Sequence, residues 1–190
     1  MNADTTGDMR RLACGLVLAA ALAGCGSKSG APITQPPAAK VPLRVAASAA
    51  DVRFARLVAV DGHEDLAADA LGTRKAASAA LSGVAEKRAR EQAEEVTLAT
   101  RFLKRAHADP AAATAGQRRA WAGDYAALVD VAGWRFDVAF TSGAESRDRS
   151  ELAAARTELR TGDAGSMKAL ARKIAKQRAA EITALRDISA

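Results

Sequence analysis

An all-α fold, an antiparallel bundle of four helices, is predicted for this sequence by three observations. From Val45 onward alanine, leucine, glutamate, arginine and lysine dominate and only Pro110 interrupts, which is helix-forming material. Residues 51–103 align without a gap with residues 137–189, at a constant offset of 86, and 13 of the 53 paired positions are identical. Each copy holds two runs of apolar residues spaced by three and four, which is the pattern of a helical hairpin. Two such hairpins close into an antiparallel four-helix bundle. The bundle is expected over residues 48–190, long enough for one compact domain.

The duplication is carried by Asp51-Val52-x-Phe54 with Asp137-Val138-x-Phe140, and by Leu66-Ala67-Ala68 with Leu152-Ala153-Ala154. Glu95-Val96-Thr97 with Glu181-Ile182-Thr183 extends it. In the first copy Phe54, Leu57, Val58 and Leu71 mark helix one, and Leu81, Val84, Leu98 and Phe102 mark helix two. In the second copy helix three is predicted from Trp134 to Arg160. Thr161-Gly162-Asp163 breaks it, with Gly162 suited to a left-handed C′ position and Asp163 to capping the next helix. Helix four then runs from Ala164 to Ile188 with Met167, Leu170, Ile174, Leu185 and Ile188 on its seam. His107 to Gln117 reads as the crossover loop, and Arg118 to Val131 as a short helix within the long connection. Trp121, Tyr125 and Trp134 are expected to pack at the entry to the second hairpin. Aromatic residues are only 4% of the chain, so the core is expected to be built from Ala, Leu, Val and Ile on closely packed helices.

Ahead of the bundle, residues 1–24 have the order of a bacterial lipoprotein signal peptide. A polar segment ends in Arg10-Arg11, an apolar run follows from Leu12 to Leu22, and Leu22-Ala23-Gly24-Cys25 reads as a lipobox. The apolar run is too short to span a bilayer well, which takes about 20 residues. Arg10-Arg11 alone is weak evidence for twin-arginine export, so the general secretory route is the default. Cleavage would leave Cys25 as the lipidated N-terminus, with palmitate among its acyl chains, and would remove Cys14, leaving no free thiol in the mature chain. Residues 25–47 read as a disordered tether, rich in Gly, Ser, Ala and Pro, that holds the body off the membrane. The expected location is extracytoplasmic, anchored to the bacterial cell membrane.

The chain carries a net charge of +6, and in the leader Asp4 and Asp8 balance Arg10 and Arg11. The mature body therefore holds the whole excess, which favours an anionic lipid surface as a partner. No nucleic-acid motif is present, and export argues against such a partner. Enzyme signatures are absent as well: no Gly-x-Ser-x-Gly elbow, no P-loop, no His-Glu-x-x-His and no cysteine nucleophile in the mature chain.

Phe136-Asp137-x-x-Phe140, an alanine-rich helix, and then Leu170-Ala171-x-x-Ile174-x-x-Gln177-x-x-x-Glu181-Ile182 resemble the bacterial domain-of-unknown-function 305 (DUF305) family across residues 48–189. The resemblance implies a ferritin-like bundle of two repeated hairpins, often secreted. It also implies a histidine pair on the first helix of a hairpin, preceded by a methionine, with some members resembling copper-binding proteins. Here the histidine places hold Asp61-Gly62 and Arg147-Asp148, and the methionine places hold Val58 and Ala144. The mature chain has one methionine, Met167, and two histidines, His63 and His107. That inventory is thin for a soft copper site, which needs several thioether or imidazole ligands converging. The Glu-x-x-His pairs of a ferritin-type di-iron site are absent.

Following the helix seams places a different content at that level. Asp61, Arg88, Glu91, Glu95, Arg147, Gln177 and Glu181 are expected to meet inside the bundle as an arginine–carboxylate network, Arg147 bridging to Glu95, Glu181 or Asp61. A small rotation of the helices would instead turn Arg88 and Glu91 onto solvent-facing flanks. No cofactor is expected. If a hard divalent cation binds, its candidate ligands are His63, Glu91, Glu95 and Glu181, the two glutamates of helix two lying one turn apart. The sequence thus points to a lipid-anchored helical bundle with a binding or scaffolding role and no catalysis. The alternative that the resemblance implies is a residual metal-binding protein, for copper or another divalent cation, in metal homeostasis.

Overall fold

The computed structural model describes residues 47–109 and 115–189; the leader, the lipobox and nearly all of the tether lie outside them. Five helices and no strand are present among the described residues: α1 (Ala49–Lys75), α2 (Ala79–Arg105), α3 (Ala115–Asp130), α4 (Trp134–Thr161) and α5 (Gly165–Ser189). Helices α1 and α2 form one hairpin and α4 and α5 the other, with the densest packing inside each hairpin. Contacts of α1 with α4 and of α2 with α5 join the two into a four-helix bundle, and α3 lies against α1 and α4. No helix among the described residues is long and apolar enough to cross a membrane.

The duplication has a structural counterpart at the hairpin turns. Ser48 caps α1 in a reciprocal box with Asp51. The Asp51 carboxylate also accepts from the backbone N–H groups of Asp163 (3.1 Å) and Ala164 (2.9 Å) at the start of α5. Its repeat mate Asp137 accepts from the N–H groups of Ala77 (2.8 Å) and Ser78 (3.0 Å) at the start of α2. The donors are themselves 86 residues apart. Each hairpin turn is therefore tied by the first helix of the other hairpin, through N–H groups that a helix start leaves unpaired.

These ties correct two expectations. Gly162 ends α4 in an extended conformation (φ −75°, ψ 157°), not a left-handed one. The turn it begins is held from outside by Asp51, which takes the place of the expected Asp163 cap. The left-handed conformation belongs to His107 (φ 52°), which ends α2, and to Gly133 (φ 60°), which begins α4. Helix α3 starts at Ala115, inside the segment expected to be loop. At its far end, Lys75 Nζ donates to the carbonyls of Leu128 (3.2 Å) and Val129 (2.6 Å), satisfying groups the last turn leaves open.

The apolar core is split. Near one end Phe54, Val58, Phe102, Leu103, Met167, Leu170 and Ile174 form one cluster. Near the other, Leu71, Leu81, Leu128, Phe136, Phe140 and Leu185 form a second. All four phenylalanines are buried, so they join the aliphatic residues in the core. Leu98, expected on the seam, is 37% exposed, and Trp134, expected to pack, is 69% exposed. Alanine and glycine allow the close approach between helices. A Cβ built on Gly72 would stand 2.7 Å from Ala85 Cβ and 2.8 Å from Phe140 Cε2. Gly72→Ala is therefore expected to destabilise the bundle by about 1–3 kcal/mol through overpacking, despite the better helix propensity of alanine. Urea unfolding checks it; a stabilised variant would mean that the packing has room to relax.

Candidate functional site

Between the two apolar clusters lies a polar layer drawn from all four long helices. Arg88 on α2 and Arg178 on α5 are fully buried, and they are among the largest buried side chains of the molecule. Arg88 Nε meets Asp69 of α1 at 3.1 Å; its Nη1 meets Asp148 of α4 at 2.6 Å and Glu181 of α5 at 3.0 Å. Arg178 Nη2 meets Glu95 of α2 at 2.5 Å, its Nη1 meets Glu181 at 3.1 Å, and its Nε pairs with Glu151 of α4. One oxygen of Glu181 thus links both guanidiniums. Arg147, on the flank of α4 and 27% exposed, pairs through Nε with the buried Asp65 of α1.

Six buried carboxylates, Asp65, Asp69, Glu95, Asp148, Glu151 and Glu181, so meet three guanidiniums. With more carboxylates than guanidiniums in the layer, burial favours the protonated form of several of them. Desolvation by burial pushes Glu95 and Glu151 up to about 7 and Asp69 up to about 6, against the pull of Arg178 on the first two and of Arg88 on the third. Asp65 and Glu181 are also raised, by burial first. Asp65 is the repeat mate of Glu151, and its negative charge adds to the rise of the Glu151 carboxyl. Surrounded by carboxylates, Arg88 and Arg178 are held charged more firmly than a free guanidinium.

Of the residues expected here, Arg88, Glu95 and Glu181 are buried and paired with the network. Glu91 and Gln177, repeat mates of each other, stand half-buried at its edge. Glu91 is bonded to Lys87 (2.7 Å) and lies against Glu181 and Gln177, contacts that hold its carboxyl low despite partial burial. Arg147 takes part, but its partner is Asp65 rather than Glu95, Glu181 or Asp61. Asp61 is half-buried and faces a surface cleft; burial first, and Glu151 second, raise it. Asp65, Asp69, Asp148, Glu151 and Arg178 were not foreseen. On α1, α4 and α5 an inward residue lies one or more places beyond an expected one: Arg178 beside Gln177, Asp148 beside Arg147, Asp65 one turn past Asp61. Steps of three and of four fit a 3.6-residue helix equally well over one turn. Which neighbour points inward depends on how the helix is rotated in the bundle. The usable signal was the repeat, since Asp65 with Glu151 and Glu95 with Glu181 are acidic at matched positions.

The places of the family's histidine pairs are occupied otherwise. Asp148 is buried on Arg88, and a Cβ on Gly62 would lie 2.5 Å from Val96 Cγ2, so a side chain there would displace Val96. His63 and His107 are exposed, whereas Met167 is buried in the apolar cluster. No group of three or more His, Cys, Asp or Glu arranged to hold a metal ion occurs among the described residues. Of the four candidate ligands, Glu95 and Glu181 already carry guanidiniums and Glu91 an ammonium.

Solved structures share this fold. The DUF305 fragment from Deinococcus radiodurans matches with a TM-score of 0.67 at 16% identity, over 75% of this chain and 96% of that one. A DUF305 protein from Streptomyces coelicolor, described as secreted, matches with a TM-score of 0.65 at 17% identity, over 73% of this chain and 91% of its own. At these identities the likeness establishes the fold, which is the helical bundle that the sequence resemblance implied. No family model matches the sequence, and no curated protein does.

Proposed function

We propose that this chain, built on the DUF305 fold, is a lipid-anchored extracytoplasmic bundle that works by binding or scaffolding rather than by catalysis or copper handling. One observation carries the reading: the level of the bundle where the family resemblance places metal ligands is filled by the chain's own salt-bridge layer. Arg88 sits there on Asp148, the residue at the second histidine place of repeat two. The secreted Streptomyces neighbour and the leader of the sequence support an extracytoplasmic location. The positive mature body supports residence beside an anionic lipid surface.

Two measurements test this. Cys25→Ser should move the folded protein from the membrane to the soluble fraction and abolish incorporation of labelled palmitate. Retention of the variant on the membrane would overturn the anchor. Titration of the detergent-solubilised full chain with Cu(I), Cu(II) and Zn(II) should show no tight stoichiometric site. A site that disappears in His63→Ala or Met167→Ala would restore the metal-homeostasis reading.

A further inference from the structure

The two ends of the bundle differ in charge. At the end where α1 begins, α2 closes on Arg101, Lys104 and Arg105 and α4 on Arg156 and Arg160, all exposed. Arg53 and Lys168 join them from the starts of α1 and α5. These four helix ends are held together by the bonds that Asp51 accepts from Asp163 and Ala164, and by Arg56 Nε, which donates to the Asp109 carbonyl at 3.0 Å. The exposed acids of this end, among the described residues, are Asp109 and Asp163. At the opposite end Arg74, Lys75, Arg135 and Arg186 are balanced by Glu86, Asp130, Asp137 and Asp187.

Along the middle of the bundle, surface cations are answered by the chain's own acids. Lys87 pairs with Glu91 at 2.7 Å, Arg149 with Glu145 at 2.6 Å and Lys173 with Glu94 at 2.6 Å. None of the cations named at the basic end takes part in a salt bridge among the described residues. Helix chemistry accounts for some of them, because cations in the last turns of α2 and α4 complement the macrodipole. It does not account for Arg53 and Lys168, which stand at helix starts, where the same dipole opposes a positive charge. Like charges gathered on one end repel each other, a cost that an anionic partner relieves.

The chain also enters the bundle at this end. Ala47 packs on the apolar cluster there, and Cys25 lies 22 residues before it. A chain of that length reaches at most about 75 Å, so contact between this end and a membrane holding Cys25 is intramolecular, and weak affinity suffices. From this arrangement we infer that the basic end docks on an anionic phospholipid surface, with the bundle standing end-on to the bilayer. This deepens the membrane reading proposed above and rests on its lipid anchor. Arg53, Arg101 and Arg156 lie within about 10 Å of the end by the helical rise, about one Debye length at physiological salt, so they act together with the terminal cations. The contact is with phosphates rather than hydrocarbon, since the exposed apolar residues Trp134 and Val138 belong to the opposite end.

The test uses the lipidated full-length protein reconstituted into vesicles of phosphatidylglycerol with phosphatidylcholine, or of phosphatidylcholine alone. A donor dye is placed at Thr161→Cys on the basic end or at Ala77→Cys on the opposite end, and an acceptor dye on a lipid. With Cys14 removed and Cys25 lipidated, the mature chain has no other thiol to label. Energy transfer from position 161 should exceed that from position 77 in the phosphatidylglycerol vesicles, and high salt or phosphatidylcholine alone should remove most of the difference. Lys104→Gln/Arg105→Gln/Arg160→Gln should lower the ratio of docked to undocked protein at least tenfold, since each basic residue near an anionic surface is worth about fivefold. Arg74→Gln/Arg135→Gln at the other end should change it less than about twofold by the same measure. Circular dichroism checks that each variant is folded, and the salt series needs no variant. Equal transfer from the two positions in phosphatidylglycerol vesicles would overturn the inference, as would indifference to salt or an equal loss in both sets of variants. Tighter binding of double-stranded DNA than of the vesicles would assign the basic end to another partner and overturn it too. A chain without lipid fails to reconstitute, whereas failure of docking leaves it in the vesicles with equal transfer from both labels. Docking alone is released by a salt wash, so the Cys25→Ser fractionation still reports the anchor.

Discussion

Replacing Arg178 with methionine is expected to lower the stability of the bundle by about 3–5 kcal/mol at neutral pH, because breaking a buried pair leaves the remaining charges uncompensated. Three carboxylates lose a partner at once: Glu95 at 2.5 Å, Glu181 at 3.1 Å, and Glu151. The methionine fills much of the space but donates nothing. For a domain whose whole stability is ~5–15 kcal/mol, that is a large share. The loss should shrink at pH 5, where Glu95 and Glu151 can take up protons and stop repelling each other. Adding Glu95→Gln and Glu151→Gln to Arg178→Met should recover much of the stability at neutral pH for the same reason. Urea unfolding of the three proteins at pH 7.5 and pH 5 decides it. An equal loss at both pH values would mean that Arg178 matters for its packing rather than for its charge. Arg147→Met should cost far less, since Arg147 is partly exposed and its charge already screened by solvent.

The second large effect concerns the wild-type protein and runs against the usual acid sensitivity of globular domains. Glu95, Glu151 and Glu158 are raised from 4.5 to about 7, and Asp69 from 3.8 to about 6, each by burial first. A carboxyl raised in the folded state binds a proton that the unfolded chain has already released. Its stabilising contribution is complete below the unfolded value and is lost as pH rises through the folded one. Stability should therefore fall between about pH 4.5 and pH 7, by an amount on the order of several kcal/mol, since each tenfold gain in a group's proton affinity on folding is worth ~1.4 kcal/mol. Asp51 works in the opposite direction. Burial would raise it, but hydrogen bonds from Ser48, Glu158 and the Ala164 N–H hold it at about 2, so its contribution is lost as pH falls from 3.8 toward 2. A stability maximum near pH 4–5 is the expected result of a pH series of urea melts. A maximum at or above pH 7 would show that the guanidiniums alone neutralise the layer.

The helical hairpins were legible in the sequence because their signals are local or internally repeated. Alanine-rich composition, apolar residues at three- and four-residue spacing, and an unbroken 86-residue offset placed α1, α2, α4 and α5. Asp51 and Asp137 stood out as a matched pair, though their task, tying the turn of the opposite hairpin, involves residues far away in sequence. The polar layer was legible as a kind of content: Arg88, Glu95 and Glu181 were placed inside and are inside. Its membership was not, because spacing fixes a stripe to within one residue, and Arg178 rather than Gln177 faces inward only once α5 is packed against α2 and α4. The basic end could not be read along the chain, since Arg53, Arg105, Arg160 and Lys168 come from four helices. Sequence alone determined that the chain forms two similar hairpins and that no histidine pair stands at the places the family resemblance implies. Tertiary structure decided which charges are buried, how two arginines hold six carboxylates in place with Arg147, and where the exposed positive charge gathers. Periodicity is a property of one helix, whereas burial depends on the rotation of each helix against its neighbours.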